Sequence, residues 1–143
     1  MDVVVVDASV AIKWVYSEEL SDQAVALREN SSLIAPELLI AECDNILWKK
    51  VRLGQFSREE AMIAGAALTM AQVELVPLAG LALGALRLSL EIDHPAYDCF
   101  YLELCRIRGV PMVTADDRLV RKLQTATSLR IPKPIALSAV SSF

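Results

Sequence analysis

Four consecutive valines, Val3-Val4-Val5-Val6, run directly into Asp7-Ala8-Ser9. An unbroken β-branched run reads as a strand buried on both faces, the kind found in the middle of a parallel sheet. Asp7 then falls at the carboxyl end of that strand, where open α/β sheets bind their ligands. Ser9 is suited to cap the short helix that Val10-Ala11-Ile12-Lys13-Trp14 can begin. A carboxylate in this place either ties down the turn or holds a metal or reacting group. The choice rests on whether other acids reach the same edge.

The alternation of periods continues along the chain, without linker, repeat or low-complexity segment. Ser17-Glu18-Glu19-Leu20-Ser21 leads into a helical stretch through about Glu29, which precedes a short strand, Leu33-Ile34-Ala35. Pro36 suits the first turn of a helix that runs to Leu53 and stops at Gly54. Ser57-Arg58-Glu59-Glu60 has the form of a capping box and opens an alanine-rich helix to about Gln72. The small residues of that helix are compatible with close packing and with an interface. Val73 to Val76 is a strand, Ala79 to Ile92 a leucine-rich helix, and Pro95 to Arg108 a helix ended by Gly109. Val110 to Thr114 is a strand, Arg118 to Gln124 a short helix, and Ile135-Ala136-Leu137 a last strand. The expected fold is a single domain over residues 1–143, a three-layer α/β/α sandwich on a mostly parallel sheet.

Composition narrows the chemistry. With one histidine and three cysteines that share no C-x-x-C spacing, a multi-His centre, a zinc site and a disulfide framework are all poorly supplied. Cys99 and Cys105 fall in one helix and read as buried free thiols. Any catalysis therefore rests on carboxylates. The apolar share of 55% is high, but the longest uncharged run, Ala61 to Val73, is too short to span a bilayer. The first residues enter a strand rather than a basic and apolar leader, so the expectation is a cytoplasmic protein whose excess apolar surface serves subunit contacts. Net charge is −4, yet Asn45–Arg58 and Arg118–Phe143 carry basic residues and no acid. Those segments are solvated faces or ground for a phosphate backbone.

Asp7 and Asp116 each follow an apolar strand, so both project from the carboxyl edge of the sheet. Asp98 lies in the first turn of a helix, an end that favours anions. Glu42 interrupts an otherwise apolar stretch, Leu38-Leu39-Ile40-Ala41-Glu42-Cys43, and shares a helix face with Leu38, Asn45 and Lys49. Each acid alone can be a cap or a surface ion pair. Together they suit a divalent cation, which keeps clustered carboxylates ionised. Oxygen donors without histidine or thiolate point to Mg²⁺ or Mn²⁺.

Four blocks carry a family resemblance: Val6-Asp7-Ala8-Ser9-Val10; Pro36-Glu37-Leu38 with Glu42, Asn45 and Leu47; Tyr97-Asp98 with Tyr101-Leu102; and Val113-Thr114-Ala115-Asp116. In this order they resemble the PIN domain, and more closely the VapC-type toxins of prokaryotic toxin–antitoxin pairs, over essentially the whole chain. The resemblance implies a metal-dependent ribonuclease that uses Mg²⁺, with Mn²⁺ able to substitute. It implies Asp7, Glu42, Asp98 and Asp116 as a catalytic, metal-holding quartet. Ser9, Asn45 and Thr114 match polar positions around it, and Asp117 reads as a helix-start residue beside the last block. His94 matches no catalytic position. The implied partners are RNA, an antitoxin whose tail covers the groove, and a second copy of the chain.

Hydrolysis of a phosphodiester needs an activated water, in-line attack and relief of developing charge, which one or two such ions can supply. An acidic site repels RNA, so Lys49, Lys50, Arg118, Arg121 and Lys122 are the expected backbone contacts. Two other readings compete. An aspartate-based phosphatase of the haloacid-dehalogenase pattern needs a second aspartate where Ser9 stands, and the acidic pair and lysine of a receiver domain are not evident. A catalytically silent module could keep the fold and hold a protein partner in its groove, but a pure binder has no need of four acids there.

Overall fold

In the computed structural model, which describes residues 2–126 and 129–142, five strands form one all-parallel sheet in the order β3-β2-β1-β4-β5. The strands are β1 (Asp2–Val6), β2 (Ser31–Pro36), β3 (Val73–Val76), β4 (Met112–Thr114) and β5 (Ile135–Ala136). The helices are α1 (Ala8–Ala11, prolonged by a 3₁₀ turn, Ile12–Trp14), α2 (Ser21–Asn30), α3 (Leu38–Arg52), α4 (Arg58–Thr69), α5 (Ala82–Ile92), α6 (Ala96–Arg108) and α7 (Asp117–Thr125). The element order and the parallel α/β/α fold are those expected from the sequence. The chain builds outward from β1 through β2 to β3, then returns to place β4 on the other side of β1. That reversal opens a crevice between the carboxyl ends of β1 and β4, the position where such sheets bind ligands.

Several boundaries differ from expectation, each for a local reason. The buried part of the valine run begins at Val4; Val3 is 39% exposed because it lines a cleft of about 810 Å³ near the amino ends of β1 and β2. Pro36 ends β2, in register with Val76, and α3 starts at Leu38. The backbone N–H of Glu37 donates to the Val76 carbonyl (2.9 Å), which ties the start of α3 to the end of β3, and Glu37 itself already has helical torsions (φ −55°, ψ −24°). A turn over Leu78–Leu81, closed by the Leu81 N–H on the Leu78 carbonyl, delays α5 to Ala82. The capping box at Ser57 and Glu60 forms as expected, with both reciprocal bonds at 3.0 Å.

One close contact packs α5 against α6, and a left-handed cap ends α5. Gly84 of α5 faces Glu103 of α6 so closely that a Cβ on Gly84 would stand 1.8 Å from Glu103 Oε2. Glu103 is 3% exposed and is clamped by Arg106, with Nε on Oε1 at 2.6 Å and a terminal nitrogen on Oε2 at 2.7 Å. At its other end α5 closes on Asp93 in the left-handed conformation (φ 51°), a region aspartate enters more readily than most residues. The three cysteines are free and buried, and burial pushes their thiols up to between about 11 and about 12, away from reactivity.

Candidate active site at the β1–β4 crevice

Asp7 follows β1 directly, at the carboxyl edge of the sheet beside the end of β4. Its backbone is extended, and the carboxylate, 7% exposed, accepts the Val10 N–H at 3.3 Å and so caps α1. The cap is therefore Asp7 and not Ser9, because the serine hydroxyl is committed elsewhere. Ser9 Oγ donates to Asp7 Oδ1 (2.5 Å) and accepts the Ala115 N–H (2.9 Å). Thr114 Oγ1 donates to Asp7 Oδ2 (2.6 Å) and accepts the Asp116 N–H (3.0 Å). Each hydroxyl has one proton and spends it on Asp7, so the 3.3 Å approach of Ser9 Oγ to Thr114 Oγ1 is contact without donation. The two hydroxyls thus stitch β1 to the end of β4 through one carboxylate.

The electrostatics of this carboxylate are those of a buried acid with no basic side chain beside it among the described residues. Burial pushes the Asp7 carboxyl up to about 6; the hydroxyl bonds oppose the rise, and the charge of Asp98 adds to it. Glu42, half-buried on α3, is raised for the same leading reason, again with Asp98 as a like charge, while the Tyr101 bond pulls it down. Tyr101 is fully buried and gives its hydroxyl to Glu42 Oε1 at 2.5 Å. Burial and that bond hold the phenol firmly protonated.

Asp98, in the first turn of α6, is bound through Oδ2 by His94 Nε2 at 2.6 Å. Asp116 is exposed and caps α7, its Oδ1 accepting the Arg118 and Leu119 N–H groups at 3.1 Å each. Asp98 is thus close enough to act as a like charge on both Asp7 and Glu42, and Asp116 joins Asp7 through Thr114. Among the described residues, no group of three or more His, Cys, Asp or Glu side chains stands close enough to chelate an ion as positioned. The donor set, carboxylates with no thiolate and no histidine of its own, has the hard-oxygen chemistry that suits Mg²⁺ or Mn²⁺. Chelation requires Glu42 or Asp98 to shift from Tyr101 or His94, or to bind through its other oxygen.

The remaining expected residues divide. Ser9 and Thr114 are central. Asn45 is exposed on α3, and Asp117 occupies the first turn of α7, as a helix-start residue should. Lys49, Arg118 and Arg121 are exposed. Lys50 is turned away from the solvent face: its ammonium lies 3.8 Å from the Tyr16 ring centroid and 3.5 Å from Glu18. Lys122 donates to the Asp93 carbonyl (2.9 Å) and lies 3.3 Å from His94 Nδ1. Tyr101 and His94 were missed as site residues by reasoning on local pattern. Tyr101 sits three residues after Asp98, on the same side of α6, and that spacing was the available signal.

A family model described as PIN domain matches residues 4–123. A search of curated proteins gives no significant match. Among solved structures, PAE2754 from Pyrobaculum aerophilum is similar with a TM-score of 0.66 and 23% identity, over 96% of this chain and 85% of that one. VapC20 from Mycobacterium tuberculosis, described as a sarcin–ricin loop cleaving toxin, gives 0.61 and 17%, over 78% and 87%. VapBC2 from Rickettsia felis, solved with a DNA fragment from its promoter, gives 0.62 and 12%, over 94% and 96%. With the fold shared by these structures and the family model spanning the sheet from β1 to α7, the chain belongs to the PIN domain family.

Proposed function

We propose that this protein is a Mg²⁺- or Mn²⁺-dependent ribonuclease and the toxin of a VapBC-type toxin–antitoxin pair. The observation that carries the reading is Asp7: a buried carboxylate at the topological switch point, held by hydroxyls and an amide, beside Asp98 and paired with no basic side chain among the described residues. A structural acid in such a place costs stability; an acid kept for a cation recovers that cost on binding. Asp7, Glu42, Asp98 and Asp116 would hold the ion, which when bound would polarise the phosphodiester and lower the pKa of a water. Ser9 and Thr114 fix the Asp7 carboxylate, and the Tyr101 hydroxyl fixes Glu42. A carboxylate accepts the proton of the attacking water. Glu42 and Asp116 suit that role better than Asp7, since the bonds described use one oxygen of each and both oxygens of Asp7.

RNA as substrate rests on the PIN resemblance and on the loop-cleaving description of VapC20. Lys49, Arg118 and Arg121 are the stronger backbone contacts, because Lys50 and Lys122 are occupied within the fold. An antitoxin and a second copy of the chain are proposed as partners, and a cytoplasmic location goes with them. Exposed Met62, Ile63 and Met70 on and beyond α4, and Leu83, Leu86 and Leu90 on α5, offer apolar surface for such contacts. No described helix is long and apolar enough to cross a membrane.

The lack of a ready chelating triplet favours a second reading, a silent PIN groove that holds a protein segment. Cleavage of a mixed RNA pool with Mg²⁺, Mn²⁺ or EDTA, beside Asp7→Asn, separates the two. Metal-dependent cutting that falls on the order of a thousandfold in the variant is expected, several kcal/mol of transition-state stabilisation being lost with the ion. Folded, partner-free protein that neither cuts nor binds Mn²⁺ would leave the silent groove as the better reading.

A further inference from the structure

The single histidine is held in a way that the quartet alone does not explain. Lys122 directs its ammonium at His94 Nδ1 (3.3 Å) and at the Asp93 carbonyl (2.9 Å). An ammonium only donates, so Nδ1 must carry the lone pair and Nε2 the proton. The other ring nitrogen then donates to Asp98 Oδ2 at 2.6 Å. The direction of the chain is fixed: lysine to histidine to aspartate.

The backbone around the ring is fixed as well. The His94 N–H donates to the Ser89 carbonyl (3.2 Å), and the His94 carbonyl accepts the Ser89 hydroxyl (2.6 Å). Asp93, in its left-handed cap conformation, and Pro95, the N-cap of α6, bracket the histidine on either side. His94 precedes α6, so its contact with Asp98 comes from this pinned loop rather than from helical spacing. A surface ion pair has no use for such fixing from three directions.

We propose that His94, oriented by Lys122, is a positioning residue that holds Asp98 by Oδ2 and so leaves Oδ1 for the cation. The inference rests on the metal-dependent reading above. Partners that orient a metal ligand typically change metal affinity or activity about 10–100-fold when removed.

The test uses the full chain and Mn²⁺ itself as the probe, followed by electron paramagnetic resonance, with circular dichroism to verify folding. His94→Ala is expected to weaken Mn²⁺ binding by about 10–100-fold, and His94→Gln to restore most of it, because the glutamine amide can donate where Nε2 did. Lys122→Met should fall between the two. Because the chain has one histidine, long-range ¹H–¹⁵N spectra of metal-free protein report its ring without ambiguity. One proton on Nε2 and none on Nδ1 is expected, with that preference lost in Lys122→Met.

If Asp98→Asn loses Mn²⁺ and His94→Ala keeps wild-type affinity, the positioning role is overturned and the metal site stands. A proton on Nδ1 in the wild type overturns the lysine–histidine order. If the wild type binds no Mn²⁺, the nuclease reading falls first and this role falls with it.

Discussion

Asp7 and Glu103 are two acids buried almost equally, at 7% and 3% exposure, and the fold treats them oppositely. Glu103, between α5 and α6, is gripped by both arms of Arg106, which neutralises it on the spot. Asp7, between β1 and β4, receives only hydroxyl and amide protons, and its near charged neighbour is another carboxylate. The first arrangement is self-sufficient. The second keeps a negative charge in reserve at a cost, which is why Asp7 anchors the function proposed above.

The contrast can be broken from the structural side first. Arg106→Met strands the Glu103 carboxylate against Gly84 and should destabilise the fold by about 2–3 kcal/mol in urea unfolding. This is below the usual penalty for a widowed buried charge, since Arg106 is 44% exposed in its side chain and the pair is partly screened. RNA cleavage by the surviving folded fraction should be unchanged per molecule. A comparable loss of Mn²⁺ affinity would mean that the two acids are not separate in role.

Asp7→Asn should act with the opposite sign on stability. A folded-state carboxyl raised to about 6 binds its proton more tightly than in the unfolded chain, so wild-type stability falls as pH rises from about 4 to about 6 and stays low above that. The asparagine variant lacks this penalty. Without metal it should match the wild type near pH 4 and exceed it by about 2 kcal/mol at pH 7.5, roughly the linkage value less one weakened hydrogen bond. Urea midpoints across that range measure the gap, and Mg²⁺ at pH 7.5 should narrow it by stabilising only the wild type. A gap independent of pH would remove the strained acid from the argument.

The smallest effect sharpens the comparison at a half-buried acid. Tyr101→Phe removes the hydroxyl on Glu42 and should cost about 1 kcal/mol in stability while raising the Glu42 carboxyl further. The pH profile of cleavage should then move its acidic limb upward. An unmoved limb would assign that limb to another carboxylate.

The strand endings made Asp7 and Asp116 readable from sequence, because an acid after a β-branched or apolar strand has only one edge to occupy. Glu42 was readable as a break in an apolar stripe. What the pattern could not give were the contacts that cross elements: Tyr101 reaches a residue 59 positions earlier, and Lys122 one 28 positions earlier. Such pairs depend on how α3, α6 and α7 face one another, which local periodicity does not encode. Glu103 was hidden for a related reason, since one acid within Tyr101-Leu102-Glu103-Leu104 looks like an exposed helix position until α5 covers it. Lys49 and Lys50 show the converse: adjacent in sequence and alike in charge, they face solvent and an aromatic ring respectively.

Gly84 touches none of the four acids, yet it packs against the helix that carries one of them. Helix α6 carries Asp98 toward the crevice and Glu103, roughly 140° around at 100° per residue, toward α5. The missing side chain at position 84 is a keyway that receives Glu103, and any larger residue there would push α5 away from α6. In a library selected for fold and cleavage together, position 84 should therefore tolerate change as poorly as the site, though it carries no chemistry. Distance from the reacting groups would be a poor guide to which residues such a selection retains.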